Sequence, residues 1–313
     1  MSAAPLAEPG AGIGLSAPIR LRARLGQARG VPVLTVVLAI LALWYGAAVV
    51  MNWQTEGDKL VRAGQSFGLG AHIAATWSAE RPILPAPHQI VAEIWKTTVE
   101  VRPTSPRSLI FHAQVTLAST LLGFAMGSLL GIAIAVGILH SRTLDRSLMP
   151  WVIASQTIPI LAIAPMIIVV LNAVGVSGLV PKAIISTYLS FFPVAVGMVK
   201  GLRSPDGMHL DLMRTYGATG PQVLAKLRLP ASLPFLFASM KIAVAAALVG
   251  AIVGELPTGA VAGLGARLLA GSYYGQTIQI WSALVMASAL AAILVALIGL
   301  AETAARRRMG ERR

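Results

Sequence analysis

Six apolar runs of about 20 residues dominate this chain, and a run that long is what an α-helix needs to cross a bilayer core of about 30 Å at 1.5 Å per residue. They fall near residues 31–51, 115–139, 148–171, 179–199, 233–256 and 277–301. The expected fold is therefore all-α, a polytopic membrane protein with six transmembrane helices. Composition supports this. Over 313 residues, 56% are hydrophobic and 12% charged, whereas an ordinary soluble domain carries about 25% charged residues. A mean hydropathy of +0.75 exceeds what one core could bury beneath a polar shell, so lipid must cover much of the surface. A water-soluble enzyme is excluded on those grounds. Cysteine is absent, which removes disulfides, thiolate metal sites and a cysteine nucleophile from consideration.

The formal charge of +13 would suggest nucleic acid in a soluble protein, but most of the basic residues lie between the apolar runs. With the N-terminus inside, the inner segments hold Arg20, Arg22, Arg24, Arg29, Arg142, Arg146, Lys200, Arg203, Arg214, Lys226, Arg228, Arg306, Arg307, Arg308, Arg312 and Arg313. Basic short loops stay cytoplasmic. Both termini are accordingly expected in the cytoplasm, and the basic tail reads as a retention signal rather than a nucleic-acid patch. The first run is too long for a signal peptide and ends in Met51, Asn52 and Trp53 without a small-residue cleavage site, so it reads as an uncleaved anchor.

This divides the chain into a basic cytoplasmic tail (1–30), a first transmembrane helix (31–51), an extracytoplasmic loop (52–110), a five-helix core (111–304) with a cytoplasmic loop at 200–230, and a basic tail (305–313). In the long loop, Pro82, Pro85 and Pro87 precede Ile90, Val91, Ile94 and Trp95, whose spacing predicts a short amphipathic helix at the membrane interface. In the second run, Gly123, Gly127 and Gly131 recur every four residues, placing three positions without side chains on one helix face where another backbone can approach. The third run holds Pro150, Pro159 and Pro165. Each removes a backbone hydrogen bond, so this span is expected to kink or break, either as a pathway-lining helix that changes shape or as a statically bent packing element.

The 200–230 loop has helical character of its own: Leu212, Met213, Tyr216, Val223, Leu224 and Leu227 recur at spacings of three and four, interrupted by Gly217, Gly220 and Pro221. Two short helices and a turn are expected. An element this apolar, yet too short to span, calls for a protein partner.

The same loop carries a more specific pattern. Asp211, Leu212 and Met213 are followed by Arg214, Thr215 and Tyr216, then Gly217, and nine residues later by Leu227, Arg228, Leu229 and Pro230. This resembles the signature loop of binding-protein-dependent ABC importer permeases, whose pattern is an acidic residue, two alanines, three variable positions, glycine, nine variable positions, an aliphatic residue, one more, and Leu-Pro. The spacing matches without a gap. Asp211 stands for the usual glutamate, and Leu212 and Met213 for the alanine pair. The resemblance runs from about Leu84 to Ala304. Leu84-Pro85-Ala86-Pro87, Thr157-Ile158-Pro159 with Ala164-Pro165, Phe191-Phe192-Pro193, Glu255 and Gly263-Leu264-Gly265 are similar to features of the nitrate, sulfonate and taurine type permeases.

That resemblance implies a type I ABC importer permease: a six-helix inner-membrane subunit that dimerises, as a homodimer, around a translocation path. It implies three further partners: a cytoplasmic ABC ATPase dimer that binds ATP and Mg, a periplasmic solute-binding protein, and the lipid bilayer. Asp211, Leu212, Met213, Arg214, Tyr216, Gly217, Ala218, Leu229 and Pro230 become the ATPase-coupling residues, with a coupling helix expected over residues 211–220. Pro159, Pro165 and Glu255 become gate or pathway candidates. For Glu255 a gate, a pair across the dimer and a solvated helix end all remain open, and Lys241 is read as an inner-interface anchor. The chain has no Gly-x-x-x-x-Gly-Lys phosphate loop, so it is expected to be no enzyme, to bind no cofactor itself and to draw ATP hydrolysis from its partner. No metal site is expected, because the five histidines lack ligand spacing. The implied solute is nitrate-, sulfonate- or taurine-like, or else a pyrimidine or vitamin-precursor compound. The alternative is a secondary transporter driven by an ion gradient, which needs intramembrane acidic residues where only Glu255 is available.

Overall fold

Apolar helix-forming runs punctuated by Gly and Pro leave little choice but helices, and every regular element is helical among the residues described by the computed structural model, 30–64, 68–257 and 260–309. The basic residues expected at the two ends, Arg20 to Arg29 and Arg312 to Arg313, lie outside the described residues. Five helices are long and apolar enough to cross a membrane, and a sixth span results if one bent pair counts as a single crossing. The chain separates into two units, Met1–Pro87 and His88–Arg313.

In the first unit, α1 (Gly30–Arg62) does not stop at Met51, where the apolar run ends, but continues for about three more turns. Nothing in residues 52–62 breaks a helix: there is no proline, and Glu56 pairs with Lys59 one turn on at 2.5 Å. The expected loop thus begins as helix and returns through α2 (Leu69–Trp77). The His72 ring lies 3.8 Å from that of Trp53, and its Nε2 is 2.9 Å from the Trp53 carbonyl. Asn52 is wholly buried, donating to the Leu84 carbonyl at 2.8 Å and accepting from the Ile83 N–H at 2.7 Å. One amide side chain therefore fixes the segment leading into Pro85 and Pro87.

The second unit opens with α3 (Pro87–Trp95), the short helix expected there, which runs into a widened turn at Lys96–Glu100. Next come α4 (Leu109–His140), α5 (Arg142–Ala154), α6 (Ile160–Ala173), α7 (Leu179–Leu202), α8 (Gly207–Thr215), α9 (Gly220–Val223), α10 (Leu229–Gly254), α11 (Leu264–Tyr273) and α12 (Thr277–Arg308). Ser108 caps α4 by accepting from the Ile110 N–H at 3.2 Å. The third apolar run is two helices, α5 and α6, meeting at 100° across Ser155–Pro159. Of its three prolines, Pro159 sits at the break while Pro150 and Pro165 lie inside helices.

The core is built on α7. A Cβ added at Gly123 or Gly127 of α4 would collide with Ser186 or Ser190 of α7, and one at Gly131 would lie 2.7 Å from the Phe191 carbonyl oxygen. Contacts that advance together along both helices mean that α4 and α7 run parallel. On its other side α7 meets α10 antiparallel: Gly197 faces Ser239, Gly201 faces Ser232, and Gly250 of α10 faces Ser186. Lipid supplies no hydrophobic drive between helices, so close approach through small residues and interhelical hydrogen bonds holds them. Ser186 Oγ donates to the Ala247 carbonyl at 2.8 Å, and Thr187 Oγ1 to the Gly123 carbonyl at 3.2 Å. Midway along α10, Lys241 bonds Glu302 of α12 at 2.6 Å, and Arg306 bonds the same carboxylate at 2.9 Å. The cation inside the fifth apolar run thus has a carboxylate partner within the chain.

Candidate functional site

Two places concentrate residues of functional interest, and they lie toward opposite ends of the core. The first is the loop between α7 and α10. Its helix α8 starts at Gly207, four residues before the stretch expected from the motif, and ends before Gly217. Gly217 has φ +63°, the left-handed conformation that glycine adopts freely. Its N–H reaches the Arg214 carbonyl at 2.9 Å, and the Ala218 N–H reaches Met213 at 3.0 Å, which closes the helix with the paired bonds of a Schellman motif. Gly217 is therefore a helix stop, and the 211–220 helix is corrected to Gly207–Thr215. Thr219 then starts α9, its N–H donating to Gln222 Oε1 at 2.8 Å, with Pro221 in the first turn. From Gly220 the chain continues to Gly254 as one 35-residue span, and Leu229 and Pro230 form the first residues of α10 rather than part of a loop.

No residue of α8 is buried. Met208, Leu212 and Tyr216 are spaced four apart on one face and are 78%, 51% and 78% exposed. Asp211 turns instead to Arg214 at 3.0 Å on the helix surface. The loop is pinned at its base: Arg203 bonds Asp145 of α5 at 2.8 Å, and Arg228 Nη1 donates to the Leu202 carbonyl at 2.9 Å. The helix thus presents an apolar stripe on its surface while its base is tied to α5 and α7.

The second place is the junction of α10 and α11. Glu255 follows α10 directly and has no solvent exposure at all, so the solvated helix end is ruled out. Its carboxylate accepts from Thr116 Oγ1 of α4 at 2.9 Å and from the Gly265 N–H at 2.9 Å, while Lys182 Nζ of α7 stands 3.9 Å away and donates to the Ala262 carbonyl at 3.1 Å. Thr116 Oγ1 also accepts from the Leu264 N–H at 2.8 Å, and His112 Nδ1 from the Gly263 N–H at 3.1 Å. Gly263, at φ +127°, leaves no room for a Cβ beside the Glu255 carboxylate. One acidic side chain therefore ties the start of α11 to α4 and α7. The partners Thr116, His112 and Lys182 escape a reading of the sequence, because they are brought together only by helix packing across more than 70 residues of chain.

Pro165 lies near the same junction. With Leu161, Ala164, Val253, Leu256 and Pro257 it lines a cavity of about 190 Å³ between α6 and the end of α10. Pro159 starts α6 and does not line it. All six lining side chains are apolar.

Residues 127–311 match the family of binding-protein-dependent transport system inner membrane components. The chain belongs to this family. It is an ABC importer permease subunit, and the gradient-driven alternative falls. Among its relatives, the formylaminopyrimidine transport permease protein ThiX of Halalkalibacterium halodurans is 34% identical over 194 residues, 62% of this permease and 72% of the relative. The riboflavin transport system permease protein RibX of Chloroflexus aurantiacus is 31% identical over 220 residues, 70% and 78% of the two chains. The putative aliphatic sulfonates transport permease protein SsuC of Bacillus subtilis is 25% identical over 240 residues, 77% of each. The matched region contains the whole α8 loop, both candidate prolines and Glu255.

Proposed function

We propose that this permease forms the translocation path for a small heterocyclic solute and is driven through α8 by a separate cytoplasmic ATPase. The observation that carries the coupling role is the exposed Met208, Leu212 and Tyr216 face on a helix with no buried residue. An apolar stripe at this spacing suits a groove on a protein partner. In this reading ATP and Mg belong to the ATPase pair, and its opening and closing moves α8. The pinned base at Arg203 and Arg228 passes that motion to α5 and α7, which alternates access to the path. A second copy of this chain completes the path, a periplasmic binding protein delivers the solute, and both termini face the cytoplasm as the basic residues direct.

Two observations support a heterocycle over a sulfonate or nitrate. The relatives named for formylaminopyrimidine and riboflavin share 34% and 31% identity, against 25% for the sulfonate relative. The cavity beside Pro165 offers apolar surface and no cation. Glu255 acts in this proposal as the latch that holds the α10–α11 junction beside the path.

Purification of the tagged full chain from its native membranes in mild detergent tests the coupling role, and an ATPase in near-equal amount is the expected result. Gly217→Asp should remove that ATPase while leaving the permease folded, because Gly217 lies at an exposed helix stop with no packed neighbour and the change alters only that turn and its charge. Intact assembly and uptake in the variant would sink the coupling assignment. Binding-protein capture of labelled pyrimidines, flavins and alkyl sulfonates tests the solute class, and selective sulfonate capture would overturn the heterocycle reading.

A further inference from the structure

A second cavity, sharing no lining residue with the one beside Pro165, opens where four segments of the second unit converge. About 330 Å³ in volume, it is lined by Glu93 of α3, Lys96 and Thr97 of the turn that follows, Val101 just after it, Arg107 just before α4, Arg267 of α11, and Gln279 in the first turn of α12. Its charges do not balance. Three cations face one carboxylate, and among the described residues none of the three forms an ion pair. The Nε of Arg267 is buried without a hydrogen-bond partner. A buried donor left unpaired is costly. Burial pulls the Arg267 pKa below its ordinary value and Glu93 acts against this, yet a guanidinium stays charged in proteins. The arrangement lacks an anion.

The position of the cavity indicates which anion. Arg107 lies two residues before α4 and Gln279 two residues into α12, so the cavity stands at the level where two membrane-spanning helices begin, opposite the end that carries α8. Headgroup phosphates lie at that level of a bilayer. On another face of α3 and its turn, Val91, Trp95 and Val99 are exposed at four-residue spacing, and a tryptophan in such an apolar row is typical of an interfacial helix. Three cations without an ion pair around a single cavity suit an anionic ligand.

We propose that this cavity binds the phosphate of an anionic phospholipid headgroup, held between the Arg267 and Arg107 guanidiniums and the Lys96 ammonium. The fork of an arginine matches two phosphate oxygens, and Gln279 supplies a neutral donor. The bound lipid bridges α3, α11 and the starts of α4 and α12.

Native mass spectrometry of the full-length chain in mild detergent, titrated separately with phosphatidylglycerol, phosphatidylcholine and inorganic phosphate, tests this. The double variant Lys96→Gln/Arg107→Gln changes two exposed side chains and leaves the packed core untouched. It should bind phosphatidylglycerol on the order of tenfold more weakly and lose the thermal stabilisation that this lipid confers, with its lipid-free melting midpoint unchanged. Arg267→Gln should act in the same direction, and Arg267→Lys should restore part of the binding. Unchanged phosphatidylglycerol binding in the double variant would overturn the proposal. So would equal protection of the wild type by inorganic phosphate, which would mark a site for free oxyanions. A variant that keeps its lipid but loses its binding protein would overturn it too, by assigning the cations to a carboxylate on that partner.

Discussion

The α4–α7–α10 layer and the α5–α6–α8 periphery end in opposite conditions, although α6 is as apolar in sequence as any helix of the layer. In α7, eleven residues are buried, and glycines from both neighbours meet its serines at backbone distance. In α6 only Ala164 is buried and in α8 nothing is, although both carry large apolar side chains. Apolar content alone therefore does not decide burial in a membrane protein, because lipid covers a leucine as well as a neighbouring helix does. What decides it is whether small residues recur every four positions so that backbones can close in. The packed layer is a scaffold, and the periphery is the surface on which the proposed coupling role rests.

The sharpest way to break this contrast is to fill the scaffold's contact line. Gly127→Leu should cost about 3 kcal/mol or more, because its first side-chain carbon already collides with Ser190. The variant is expected to lose its monodisperse peak in detergent size-exclusion chromatography. A well-behaved Gly127→Leu protein would show that α4 and α7 do not rely on that approach.

A smaller effect follows from the latch. Glu255→Ala leaves the Gly265 N–H, the Thr116 hydroxyl and the Lys182 ammonium short of their acceptor, with an expected loss of about 2–4 kcal/mol read as a lowered thermal midpoint. Glu255→Gln keeps an acceptor oxygen and should fall between. If both variants melt like the wild type, the α10–α11 junction belongs with the periphery.

On the periphery the effects on stability shrink while those on function grow. Gly217→Ala forces a side chain into left-handed backbone at about 1 kcal/mol. It should leave the melting midpoint nearly unchanged yet lower the recovery of ATPase with the chain. Asp145→Ala removes the exposed bond to Arg203, worth about 0.5 kcal/mol. Its expected signature is unchanged stability with weaker coupling of ATP hydrolysis to uptake. A large drop in stability from either change would place the loop within the scaffold.

Much of this was legible in the chain. The spans, the Gly123, Gly127 and Gly131 face, the proline break in the third run and the α8 loop all follow from local rules about apolar length, four-residue spacing and backbone restriction. Other features were not. The extension of α1 past Met51 was hidden because polar residues favour helix and loop alike, and only Trp53 stacked on His72 and the buried Asn52 settle it. The start of α8 at Gly207 was missed because the motif constrains Gly217, which stops the helix, and says nothing of where it begins.

Glu255 marks the boundary between the two kinds of information. By itself, the sequence determined that an acid lies at the end of an apolar run, since composition and spacing are properties of neighbours along the chain. Whether that acid met water, a second copy or its own fold was decided only when α4, α7 and α11 brought Thr116, Lys182 and Gly265 to it. The reason is physical: the cost of burying a charge is set by the groups that surround it in space, and in this permease those groups come from three separate helices.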